Sequence, residues 1–147
     1  MKPCGWLLLM LLTLTISPAH AQTSADSLYQ SALALPDTVD LDPRIEAFKQ
    51  VIEADRKYAP AYCELAELYM QYRTPEARQA ADRAIRRAMR IEPDNLDYQI
   101  TLAKLLRAKR FGMASAKLFE EVLAKHPNCA QAHYNVGEEA LENFVLD

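Results

Sequence analysis

The chain has 147 residues, with 17 Lys and Arg against 20 Asp and Glu and a formal net charge of −3. That balance excludes a protein whose overall field gathers nucleic acid, and the length allows one domain. Half of the residues are hydrophobic, enough for a sizeable core, while three glycines leave no Gly-rich phosphate loop and no nucleophile motif is present.

In chain order, Lys2 precedes an apolar run from Trp6 to Ile16, followed by Ala19-His20-Ala21, the small-x-small pattern that a signal peptidase reads. Residues 1–21 are therefore expected to form a signal peptide and Gln22 to begin the mature protein, which is expected to be exported, to a bacterial periplasm or as a secreted protein. The run is about half of the ~20 apolar residues that a spanning helix needs, so no transmembrane segment is expected after cleavage. Cys4 lies ahead of the run. Cys63 and Cys129 remain, and are expected to be unpaired because they lie two helix pairs apart, beyond disulfide reach.

The spacing of Leu28, Ala32 and Leu35 predicts a first helix from Ala25 to Leu35, with Ser24 as N-cap and Pro36 as its end. Asp37 to Asp42 reads as a loop. Pro43 then opens a second helix with Ile45, Phe48, Val51 and Ile52 on one face. A third helix is predicted from Pro60 to Tyr72, turning Tyr62, Leu65, Ala66, Leu68 and Tyr69 inward. Thr74-Pro75-Glu76 forms a turn, and Ala77 to Ile91 follows, burying Ala81, Ile85 and Ala88 while exposing a row of arginines. Beyond Pro93-Asp94-Asn95, helices are predicted over Leu96–Ala108 and Met113–Ala124, and a last one starts near Ala130. No strand pattern occurs.

The predicted helices repeat. Ala66, Ala103 and Gly137 are separated by 37 and 34 residues, and the series Phe48, Ile85, Phe119 and Val51, Ala88, Val122 have the same two steps. Periods of this size mark a solenoid of stacked helix pairs. The pairs cover residues 25–55, 59–92 and 96–126, with a lone helix over 130–145. An insertion near Arg73 to Glu76 accounts for the longer step.

These residues resemble the tetratricopeptide repeat family. Tyr62 and His133 hold the first aromatic place of its pattern, with Gln99 a departure. Leu65-Ala66, Leu102-Ala103 and Val136-Gly137 hold the Leu-small pair, and Tyr69 the later tyrosine. Ala81 and Ser115 are the small residues of the second helices, Phe48 and Phe119 the later aromatics, and Pro93 and Pro127 the terminal prolines. Arg44, Arg56 and Ser31 depart from the pattern, which makes the first pair a degenerate, capping one.

The resemblance implies an all-α, right-handed superhelical array of antiparallel helix pairs over residues 22–147. It also implies a protein-interaction scaffold without catalysis or cofactor, whose peptide or protein partner lies on the concave face. On that face the residues expected to look outward are Cys63, Glu64, Glu67, Met70 and Gln71, then Asp97, Ile100, Thr101, Lys104 and Arg107, then Gln131, Tyr134, Asn135, Glu138 and Glu142. Of these, Glu64, Glu67, Ile100, Thr101, Lys104, Arg107, Tyr134, Asn135 and Glu138 are the expected partner-binding residues. The family's Lys, Arg and Asn clamp for a C-terminal carboxylate is not expected, because Cys63, Glu67 and Thr101 stand where the clamp needs other chemistry.

Other constellations carry less. The arginines between Arg73 and Arg110 read as a solvated helix face, with anion binding as the competing use. His126, Cys129 and His133 fall short of the four converging ligands of a zinc site, so no metal is expected. Val136, Ala140, Phe144 and Val145 form an apolar stripe on the last helix. It is expected to be covered either by self-association or by a continuing chain, the protein then being the N-terminal module of a larger envelope enzyme or assembly.

Overall fold

The computed structural model describes residues 18–36 and 40–145, with side chains over 24–36 and 40–138. The first 17 residues of the expected signal peptide lie outside the described residues, as do the side chains of Ala140, Glu142, Phe144 and Val145. Among the described residues there are seven helices and no strand: α1 (Pro18–Leu33), α2 (Asp42–Ala54), α3 (Ala59–Gln71), α4 (Pro75–Ile91), α5 (Leu96–Ala108), α6 (Gly112–Lys125) and α7 (Ala130–Val145). None of them is long and apolar enough to cross a membrane.

Caps and prolines set most of these bounds. The Thr74 hydroxyl accepts the Ala77 N–H at 3.2 Å and Pro75 opens α4, while the Asn95 side chain accepts the Asp97 N–H at 3.1 Å at the start of α5. One expected cap is corrected. α1 begins at Pro18, so Ser24 lies inside the helix, and the expected cleavage point after Ala21 falls within it too. Leu41 stands at the N-cap of α2 without a side-chain capping bond, and the Asp42 N–H donates to the Asp40 carboxylate at 3.1 Å.

α1 packs on α2, α3 on α4 and α5 on α6, and each second helix packs on the first helix of the next pair. First helices also touch their equivalents, α3 on α5 and α5 on α7, so they line the inner side of the stack. The repeating residues form the core. Phe48, Ile85 and Phe119, with Val51, Ala88 and Val122, are all fully buried. Ala66 and Ala103 are equally buried, their small side chains letting the helices approach closely. Ser115 is buried at such a place because its hydroxyl donates to the Ala103 carbonyl at 2.9 Å.

Two features of the turns escape the sequence pattern. The three inserted residues do not lengthen a loop; they extend α4 to 17 residues against 14 in α6. The turns inside the second and third pairs carry arginines in the left-handed region, Arg73 at φ 57° and Arg110 at φ 67°. At Arg110 the chain closes a Schellman motif: the Phe111 N–H donates to the Leu106 carbonyl and the Arg110 N–H to that of Arg107, both at 2.9 Å.

The joints between pairs share one hydrogen bond. The Tyr62 hydroxyl donates to the Arg56 carbonyl at 3.2 Å, Gln99 Nε2 to that of Pro93 at 3.4 Å, and His133 Nε2 to that of Pro127 at 2.7 Å. In each case the donor reaches back six residues to clasp the turn that precedes its helix. His133, at the first aromatic place of the pattern, is exposed beside its turn, and Gln99 departs from the pattern in chemistry but not in role. Arg56, out of place by side chain, serves by its carbonyl.

A residue held at positive φ costs roughly 1 kcal/mol more than glycine would. Arg110→Gly is therefore expected to raise unfolding free energy by about 0.5–1 kcal/mol in urea titrations, whereas Arg110→Ala gives no gain. Equal effects of the two would refute strain at this turn.

Candidate partner-binding face

The inner face is built from one stripe of each first helix. On α3 it carries Cys63, Glu64, Glu67 and Met70; on α5 Lys104 and Arg107; on α7 Tyr134 and Glu138. Its polar groups are tied across neighbouring pairs. Tyr29 of α1 donates to Glu64 Oε1 at 3.5 Å. Glu67 Oε1 accepts from the Thr101 hydroxyl at 2.9 Å and from Lys104 Nζ at 3.4 Å. Glu138 accepts from Arg107 Nη2 at 2.9 Å and from the Tyr134 hydroxyl at 2.8 Å. Each of these carboxylates thus stitches its helix to another or fixes a side chain on its own.

Three of the expected outward residues do not face solvent. Thr101 and Asn135 are 2 % exposed and Ile100 5 %. Ile100 belongs to the core formed with Ala103, Phe119, Val122 and Ala132. Thr101 is covered by Glu67, and Asn135 donates to the Gln131 carbonyl one turn back at 2.7 Å. Glu64, Glu67, Lys104, Arg107 and Glu138 are half-buried, and Tyr134 is 64 % exposed.

Tyr29 belongs to this face and Arg44 of α2 acts on it from behind, and neither was anticipated. Tyr29 packs its ring on Phe48 and Tyr58, with centroids 5.8 and 5.2 Å apart. Stepping back 37 residues from Ala66 reaches Tyr29, so the repeat itself holds the signal: a bulky residue at a small place. Arg44 stands at another small place, and its charge acts on Glu64.

Burial governs the electrostatics of the α3 stripe. It pushes the Cys63 thiol up to about 11, which leaves a protonated, weakly reactive group at neutral pH. Burial, and then the neighbouring Glu67, also raise the Glu64 carboxyl, against the opposing pull of Arg44 and Tyr29. At the other end the Tyr134 hydroxyl, and then Arg107, hold Glu138 below its usual value. Cys63 and Cys129 are free. Among the described residues no cluster of His, Cys, Asp and Glu could hold a metal ion, and the His133 ring is engaged by its turn.

No family model matches the chain, and no curated protein matches it. Among solved structures it is similar to the TPR domain of Arabidopsis OM64, with a TM-score of 0.71, covering 83 % of this chain and 98 % of that one. The fold is that of a tetratricopeptide repeat domain. At 14 % sequence identity the likeness is one of fold.

The raised Glu64 carboxyl means that the folded chain binds this proton more tightly than the unfolded one. Its contribution to stability is present at acidic pH and lost as pH rises from the unfolded carboxyl value through the raised folded one. Glu64→Gln is expected to raise the melting temperature at pH 7 and to leave it unchanged near pH 3. A lower melting temperature at pH 7 would show that the pull of Arg44 outweighs burial.

Proposed function

We propose that this chain is a non-catalytic protein-interaction scaffold that holds an extended peptide segment of a protein partner against the α3, α5 and α7 stripe. The observation that carries the reading is Tyr134. Its ring stands 64 % exposed at the end of a fixed chain, since its hydroxyl is held by Glu138, which Arg107 holds in turn. An aromatic side chain immobilised before binding loses little entropy on contact, which is what an interface anchor requires.

The state of the charges narrows the ligand. Lys104 is paired with Glu67 and Arg107 with Glu138, so a charged peptide would have to break existing ion pairs. An uncharged segment with an aromatic or aliphatic residue over Tyr134, its backbone bonding to the polar rim, fits this face better. The interaction fold of the OM64 domain is consistent with such a role. Export is part of the same proposal, supported by Lys2, the apolar run and Ala19-His20-Ala21.

Selection of displayed peptides on residues 22–147 tests the reading. Selected sequences are expected to be poor in charge, and Tyr134→Ala to weaken them by about tenfold or more, the loss typical of an anchor. Peptides that bind Tyr134→Ala as tightly as the parent protein would place the binding face elsewhere.

A further inference from the structure

The opposite face of α3 borders a groove of different chemistry. Residues 62, 65 and 69 lie across the helix from 63, 67 and 70, at 100° per residue. One wall is apolar and aromatic, with Leu65 and Tyr69 of α3; the other is cationic, with Arg83, Arg87 and Arg90 of α4, and Ala84 lies between them. The depression between them is shallow and open to solvent, with a volume of about 400 Å³.

The three arginines share one open face of α4, and like Arg56, Arg73, Arg78 and Arg110 they make no ion pair within the described residues. The ion pairs among the described residues engage Lys49, Arg86, Lys104, Arg107, Lys109 and Lys117, and none engages Arg83, Arg87 or Arg90. Arg86, on the same helix, is held by Asp82 at 2.7 Å and points away from the groove. Unpaired guanidiniums at i, i+4 and i+7 beside an apolar wall form a surface whose charge is unmatched within the described chain.

Spacing bears on the shape of an anionic ligand. Along α4 the three positions span about 10.5 Å, with about 6 Å between the first two. Three heads spaced along the helix match a row of anionic groups carried by one ligand. An extended peptide places same-side residues about 6.6 Å apart and turns the alternate residues the other way. Lying in the groove, such a strand would direct every second side chain to the arginines and the rest to Leu65 and Tyr69.

We propose that the α3–α4 groove binds an extended acidic peptide segment in which carboxylates alternate with apolar residues. Arginine favours this ligand, because its planar fork bonds a carboxylate bidentately. The chain's own charge of −3 works against a long polyphosphate and far less against a short peptide. This site does not depend on the reading of the inner face.

Fluorescence anisotropy with the purified protein decides it, using labelled Glu-Leu-Glu-Leu-Glu-Leu, the block isomer Glu-Glu-Glu-Leu-Leu-Leu, and a labelled oligothymidylate. The alternating peptide is expected to bind more tightly than its isomer, and more weakly as salt rises. The Arg83→Gln, Arg87→Gln double variant is expected to lose about tenfold in affinity, while Arg86→Gln stays within about twofold of the parent. Circular dichroism checks that both variants fold, and the preference between the two peptides is read on the unaltered protein. No binding at millimolar peptide, equal binding of the isomer, an equal loss in Arg86→Gln, or tighter binding of oligothymidylate would each overturn the proposal.

Discussion

The seating of each second helix against the first helix of the following pair determines everything else in this molecule. It depends on a ladder of fully buried residues, Phe48, Ile85 and Phe119 with Val51, Ala88 and Val122, spaced so that each pair presents the same surface to the next. No pair can bury that surface alone, so stability comes from nearest-neighbour contacts rather than from one central core. The inner stripe and the outer groove both follow, because the stacking decides which sides of α3 remain open. One side becomes a continuous face shared by three helices. The other becomes a trough between two.

The two open sides differ in how they treat charge. On the inner face, Glu67 and Glu138 are each bound by a cation from a neighbouring pair, so charge there serves to fix the geometry. Such partly exposed pairs contribute little to stability, but they hold Tyr134 and its surroundings in one arrangement. On the outer trough, three guanidiniums have no such partner. The same array thus presents one surface with its charges spent internally and another with them available.

The architecture was legible in the sequence because its determinants are local and repeated. Prolines and caps mark where helices start, α5 falling on the expected Leu96–Ala108, and the paired steps of 37 and 34 fix which residues are buried. The face was less legible. Thr101 and Asn135 are polar and lie on the expected stripe, yet both are covered, because each has an acceptor close by that removes the need for water. A pattern of residue types cannot show that a neighbouring helix brings Glu67 over Thr101. The equivalence of Tyr62, Gln99 and His133 was hidden for a related reason: three unlike side chains meet the same carbonyl, and only the geometry shows them as one device.

That device has a consequence for how such a chain can change length. Its acceptor is main chain, so the residue supplying it is free to vary, as Arg56, Pro93 and Pro127 do; what cannot vary is the count of six. The three joints between pairs accordingly keep one length, while the extra turn of α4 sits inside a pair. A gene encoding this array can duplicate or lose whole units and have each new neighbour find its latch by counting alone. Between the second and third pairs the difference in length lies in the second helix, where it reshapes a surface without breaking the stack.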